Sequence, residues 1–257
     1  MNWDELLKEL KDRKASGTLS TTTSLAELKA EAYNEQWGDL SYGECAICRN
    51  KGWVASVKDG VMTMTECSCV PLRKSRRRIA HSGLADQLER YTFDSFETAE
   101  PWQVTAKSLA LKYAEKPEGW MVALGKTGTG KTHLCTAAAS KLMERMSVVY
   151  MPWRIETPRI KSLITDAKLY DDEIRRLTDV RCLYIDDFLK GSITDADKNL
   201  AFAIIDKRYS DIKKLTILSS EMSLESMMEI DEAIGGRIWE RAKTKLLFSG
   251  ENYRTRS

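Results

Sequence analysis

Apolar positions in this chain repeat with two different periods. In the first forty residues the spacing is helical. Leu6, Leu7 and Leu10 make one stripe, and Leu25, Leu28 and Tyr33 make a second. The run Ser24-Leu25-Ala26-Glu27 has the form of a capping box opening the second helix, and the Ser- and Thr-rich stretch 14–23 reads as the turn between the two. Residues 53–57 and 61–65 then favour extended chain around Asp59-Gly60, which predicts a hairpin. From residue 120 onward, strands alternate with helices. Strands are expected at 120–124, 147–151, 181–185, 215–218 and 245–248. Helices are expected at 133–145, over much of 160–177, at 194–209, and at 224–242 with an interruption or bend at Gly235-Gly236. Such alternation predicts an α/β fold with a mostly parallel sheet covered by helices, and ligands of such sheets sit at the carboxyl ends of the strands. The change of pattern suggests a helical and cysteine-bearing module over 1–90 and an α/β domain over 91–257.

Composition narrows the compartment and the partners. The 257 residues are 42% hydrophobic, enough for a core, and 30% charged with a net charge of only +2, so any nucleic-acid contact must rest on local clusters. No apolar run approaches the ~20 residues of a membrane span, and the start lacks a signal-peptide pattern, so a cytoplasmic location is expected. In a reducing compartment, closely spaced cysteines point to metal rather than disulfides.

The strand expected at 120–124 runs into Gly125-Lys126-Thr127-Gly128-Thr129-Gly130-Lys131-Thr132, a complete G-x-x-x-x-G-K-[ST] match that opens the next helix at His133. Glycines let successive backbone N–H groups converge on a phosphate, and the helix start adds its dipole. Lys131 reaches the β- and γ-phosphates of ATP, and the Thr132 hydroxyl holds Mg²⁺. Asp186 closes an apolar strand at the position of a Walker-B aspartate and completes the Mg²⁺ site; Asp187 is placed to orient or deprotonate the attacking water. Ser220 or Glu221, at the end of the 215–218 strand, is a candidate to sense the terminal phosphate. Arg237 and Arg241 are four apart, so they share a helix face.

Cys45, Cys48, Cys67 and Cys69 form C-x2-C and C-x-C pairs around the hairpin, the arrangement a tetrahedral Zn²⁺ requires, with His81 as an alternative ligand. Cys135 and Cys182 lie in apolar patterns and read as core. Residues 73–78 carry five positive charges, suited to phosphate backbones or simply to a solvated helix face.

In the ordered set Tyr91-Thr-Phe-Asp-Ser-Phe96, the phosphate loop, Tyr184-Ile-Asp-Asp-Phe-Leu-Lys-Gly191, Asp206-Lys-Arg-Tyr209, Thr216-Ile-Leu-Ser-Ser-Glu221, Asp231-Glu-Ala-Ile-Gly-Gly-Arg237 and Asn252-Tyr-Arg-Thr-Arg256, the chain resembles the DnaC/DnaI-type bacterial and phage replicative helicase loaders. This AAA+ group also includes the IstB transposition ATPases. The resemblance implies an AAA+ core that hydrolyses ATP, self-associates and contacts single-stranded DNA, with a zinc module that holds a DnaB-type hexameric helicase. It implies that Phe93 and Phe96 border the adenine, that Arg237 or Arg241 acts as an arginine finger on a neighbour's ATP, and that Arg254 takes the second-sensor position. Asp-Asp and Ser-Ser-Glu stand where many AAA+ proteins have Asp-Glu and Asn, which suits a slow, switch-like ATPase. Helicase loading is the leading expectation. A transposition helper and a zinc-containing, nucleotide-switched DNA-binding regulator are the alternatives.

Overall fold

The computed structural model describes residues 24–81 and 85–249. The first expected helix, the 14–23 turn and Arg254 lie outside these residues, as do the side chains of Arg78 and His81. The chain divides into two compact units between Arg73 and Lys74, ahead of the boundary expected at residue 90. The reason is packing. The Ser75 hydroxyl accepts the Val148 N–H, and Leu88 packs on a core of the larger unit.

In the smaller unit, α1 (Leu25–Glu35) begins at the reciprocal Ser24–Glu27 capping box. Strands β1 (Trp53–Lys58) and β2 (Val61–Glu66) pair antiparallel around Asp59 and Gly60, both at positive φ, as a tight hairpin turn requires. Asn34 fastens α1 to β1, donating to the Ala55 carbonyl and accepting the Ala55 N–H. Helix α2 (Cys69–His81) starts here. Arg73, read with its neighbours as a charge suited to phosphate or to a solvated helix face, is buried instead and donates to Leu40 O, Ser41 O and Asn50 Oδ1.

The larger unit contains α3 (Ala85–Arg90), α4 (Pro101–Glu115), β3 (Trp120–Gly125), α5 (Lys131–Met143), β4 (Val148–Pro152), α6 (Trp153–Ser162), α7 (Ala167–Asp179), β5 (Cys182–Asp186), α8 (Asp195–Tyr209), β6 (Leu215–Ser220), α9 (Leu224–Ile230), α10 (Glu232–Arg241) and β7 (Ala242–Phe248). The five strands form one parallel sheet in the order β4-β5-β6-β3-β7. Alternation along β3 builds the two faces. Met121 and Ala123 join Leu134, Cys135, Ala138 and Leu142 of α5, while Trp120, Val122 and Leu124 join Leu200, Ile204 and Ile238 of α8 and α10. Cys135 and Cys182 are fully buried in the first of these cores.

Two expected helices are broken differently from their sequence reading. The 160–177 helix is two helices, because the Asp166 carboxylate caps α7 by accepting the Leu169 N–H. The interruption expected at Gly235-Gly236 falls at Asp231, which ends α9 and caps α10 through the Ile234 N–H. Gly235 lies inside α10 where α9 crosses it: a Cβ there would stand 2.6 Å from Met228 Cγ and 3.0 Å from its backbone, whereas one on Gly236 meets nothing within 4 Å.

Behind the sheet, Arg208 is fully buried. It donates to the carbonyls of Leu177, Thr178, Val180 and Leu215 and to Thr216 Oγ1, so one guanidinium closes the end of α7 and ties it to β6. Burial pulls its pKa down to about 10.

Candidate nucleotide site and cysteine centre

The end of β3 and the start of α5 shape the loop. Gly125 has φ 146°, and a Cβ on it would lie 2.4 Å from Phe248 O on the neighbouring β7, so no side chain fits. Gly130, at φ 97°, caps α5, with the Phe96 ring 2.8 Å from where its Cβ would be. Within the loop, Thr129 Oγ1 and Lys131 Nζ both donate to Lys126 O, at 2.8 and 2.6 Å. Lys126 and Thr127 are exposed. Burial lowers the Lys131 pKa, against the pull of Glu221 and Asp187.

Parallel pairing brings the ends of β5 and β6 to this loop. Thr132 Oγ1 donates to Asp186 Oδ1 at 3.0 Å, and Tyr150 OH donates to Oδ2 at 3.3 Å. Asp186 is 8% exposed, and burial raises its pKa. The third donor to this carboxylate is Ser219 Oγ, which also accepts the Asp187 N–H. Ser220, the residue singled out from the sequence, faces the other way: its hydroxyl donates to Phe188 O. Side chains alternate along a strand, and the β6 register decides which serine meets Asp186. Sequence reasoning missed Ser219 because the period alone does not set the phase at a strand end.

Asp187 and Glu221 stand on the open side of the loop. Both bond Lys190 Nζ, at 3.1 and 2.8 Å, and Glu221 also hydrogen-bonds Thr127. These groups and the loop surround a hollow of about 240 Å³. A second hollow, of about 260 Å³, lies beside Gly128, Gly130 and His133 and is bordered by Phe96. Phe93, expected alongside Phe96, packs on the core and lines a different hollow with Lys107 and Lys141. Tyr91 reaches the loop instead, stacked on the His133 ring at 4.8 Å. His133 Nε2 donates to Thr92 O at 2.8 Å, and burial holds the ring pKa down.

Arg237 and Arg241 are not brought to the loop within this chain. Arg237 pairs with Asp206 at 2.9 Å and lies over the Phe202 and Tyr209 rings. Arg241 donates to Asp211 O and lies over Trp120, the first residue of β3. A strand of that length separates it from the loop by on the order of 16 Å.

In the smaller unit, the sulfur atoms of Cys45, Cys48, Cys67 and Cys69 all lie within 4.8 Å of one another. Cys45–Cys67 and Cys48–Cys69 approach to 3.8 and 3.5 Å. A tetrahedron with Zn–S of about 2.3 Å has edges of about 3.8 Å, so the donor set fits Zn²⁺. Arg49 and Asn50 at positive φ turn the chain after Cys48, and the Gly52 N–H donates to Cys48 Sγ, a bond that favours a thiolate.

Comparison with known proteins agrees with this architecture. The pattern of the family described as IstB-like ATP binding protein matches residues 61–257, and the chain belongs to that family. It is 29% identical over 227 residues to the phage-like element PBSX protein XkdC of Bacillus subtilis, covering 81% of this chain and 83% of the relative. It is 24% identical over 192 residues to the replicative helicase loader DnaC of Escherichia coli K12, covering 71% and 77%. It is 27% identical over 252 residues to the IS232 insertion-sequence ATP-binding protein of Bacillus thuringiensis, covering 91% and 93%. The crystal structure of the DnaC helicase loader superposes with a TM-score of 0.56 at 21% identity, covering 63% of this chain and 99% of that one. The larger unit therefore has the AAA+ P-loop fold, and the chain is an ATPase of the IstB/DnaC-like kind. No helix among the described residues is long and apolar enough to cross a membrane.

Proposed function

We propose that this IstB-like ATPase places a hexameric, DnaB-type replicative helicase on single-stranded DNA. The observation that carries the proposal is the coupling in one chain of a complete phosphate loop with a four-cysteine centre in a separate compact unit. A transposase-targeting ATPase has little use for such a unit, whereas a loader needs a handle for the helicase. Relatedness to a replicative helicase loader supports the same reading.

In this reading Gly125 to Thr132 cradles the ATP phosphates, Lys131 neutralises their charge, and His133 and Phe96 border the nucleotide. Thr132 and Asp186, already joined at 3.0 Å, would hold Mg²⁺. An ion held by these two residues would supply positive charge against the charge that develops on the phosphates during transfer. Asp187 positions the attacking water, and Ser219 holds the Asp186 carboxylate and the Asp187 backbone N–H from behind. Arg237 or Arg241 serves a neighbouring subunit's nucleotide, which makes self-association part of the cycle. The four cysteines hold one Zn²⁺ that stiffens the helicase-binding unit.

The test is a binding and loading assay with the host's purified replicative helicase. A complex that depends on ATP, and helicase transferred to a single-stranded circle, is the expected result. No complex with the helicase under any nucleotide condition would overturn the proposal. The alignment with an insertion-sequence ATP-binding protein over 91% of the chain favours a second reading, a transposition helper. ATP-dependent binding to a transposase in the same assay would establish it.

A further inference from the structure

Lys190 lies in the motif that follows β5, but the sequence alone gives it no role. It follows the Asp186-Asp187 pair through a turn in which Asp187 and Leu189 both have left-handed backbones, at φ 56° and 57°. For leucine this conformation costs roughly 1–2 kcal/mol, so the surrounding packing must enforce it. Phe188 and Leu189 supply that packing. Both are buried, and the Phe188 ring meets Trp153 at 4.9 Å. The Lys190 N–H donates to Asp187 O at 3.1 Å and closes the turn. The result is a rigid backbone that points a flexible ammonium back over the end of the sheet.

There the ammonium sits between two carboxylates, 2.8 Å from Glu221 Oε1 and 3.1 Å from Asp187 Oδ2. Burial opposes its charge, and the two acids outweigh burial and hold its pKa above the usual lysine value. All three groups face Lys131 and Thr132 across the hollow of about 240 Å³. Glu221 additionally reaches the loop at Thr127. The charges on the walls, two acids and two lysines, balance while the hollow holds no anion. A phosphate entering between the loop and the acids upsets that balance. It is repelled by Asp187 and Glu221, and Lys190 is the cation that can turn toward it. An ammonium on a four-carbon stem suits such an exchange, because it binds phosphate as a point charge from many directions.

We propose that Lys190 contacts the terminal phosphate of bound ATP, leaving Asp187 and Glu221 to do so, and that this exchange is how the chain distinguishes ATP from ADP. The inference rests on reading the Gly125–Thr132 loop as the ATP site. It assigns to Lys190 the sensing role considered for the end of β6, and it makes Glu221 the group that holds the sensor in the nucleotide-free state. Release from Lys190 also frees the Asp187 carboxylate for a water molecule.

The experiment compares affinities for fluorescent ADP and for a fluorescent, non-hydrolysable ATP analogue, both with Mg²⁺. The proteins are the wild type, Lys190→Met, Lys190→Gln and Lys190→Arg. Loss of one charge-assisted contact to phosphate should weaken the ATP analogue about tenfold or more in the Met and Gln variants. ADP affinity should change less than about twofold, and this serves as the folding control. Lys190→Arg should recover most of the preference for the triphosphate. Equal weakening of both nucleotides in the Met and Gln variants would overturn the proposal, because it would leave Lys190 only a structural counter-ion to the acids. Unchanged affinity for the ATP analogue would also overturn it. A wild type that binds neither nucleotide would instead refute the loop assignment itself, and Lys190's role with it.

Discussion

Replacing Arg208 with Met tests whether the larger unit depends on one buried guanidinium. Methionine is of similar length and carries no charge. The substitution leaves four carbonyls, of Leu177, Thr178, Val180 and Leu215, and the Thr216 hydroxyl without their donor. An unpartnered buried polar group costs about 1–3 kcal/mol, so the five together cost roughly 5–10 kcal/mol after partial relaxation. Against this, the native state no longer has to bury a cation. The fall of the Arg208 pKa from 12.5 to about 10 corresponds to a penalty on the order of 3 kcal/mol. The balance is a loss of about 4 kcal/mol, a large part of the ~5–15 kcal/mol stability of an ordinary domain. For a unit of this size that lowers the melting temperature by roughly 8–16 °C. Thermal unfolding followed by circular dichroism measures it, with Arg208→Lys as a second variant. Lysine keeps the charge, loses the planar fork, and should also melt early. A Met variant that melts within about 3 °C of the wild type would refute the reasoning and show that water or backbone shifts satisfy the freed carbonyls.

The neighbouring glycines of α10 should respond with opposite signs: Gly236→Ala should stabilise by up to ~1 kcal/mol, and Gly235→Ala should destabilise because its Cβ meets Met228, both read from urea midpoints. Ser219→Ala should slow ATP turnover by about tenfold or more by removing one of the three donors to Asp186, while Ser220→Ala should mainly lower the melting temperature; the reverse pattern in steady-state kinetics would contradict the β6 register. Cys48→Ser should abolish stoichiometric zinc, measured by elemental analysis, and unfold the 24–73 region in hydrogen exchange while ATP affinity is retained.

Much of the core was legible in the sequence because its signals are local. The Ser24–Glu27 capping box, the Asp59-Gly60 turn and the glycine loop each specify a backbone conformation within a few residues, and all three form as expected. The alternating apolar runs also yielded the five parallel strands. The misreadings concern choices made by distant parts of the chain. Asp166 and Asp231 are ordinary polar residues until the helices they cap are positioned, so two helix breaks went unseen or misplaced. Gly235 looks like a helix breaker in sequence and proves to be a crossing point for α9. Arg73 reads as one of a basic run, yet three acceptors from the loop around 40–50 claim it. The choice between Ser219 and Ser220, or between Phe93 and Phe96, depends on the phase of a strand or turn against its neighbours, which no single segment encodes.

The sheet order has a consequence for the newly made chain. Strand β3, which carries the phosphate loop, lies between β6 and β7, the last two strands of the sheet to be synthesised. Gly125 lies directly against Phe248. The loop therefore leaves the ribosome complete in sequence but without either of the strands that flank it. Translation of the residues between positions 125 and 248, at 5–20 residues per second, takes roughly 6–25 s. For most of that interval β3 lacks both of its sheet neighbours, and for the rest it lacks β7. A sheet closed on both sides of the loop therefore requires the chain as far as β7.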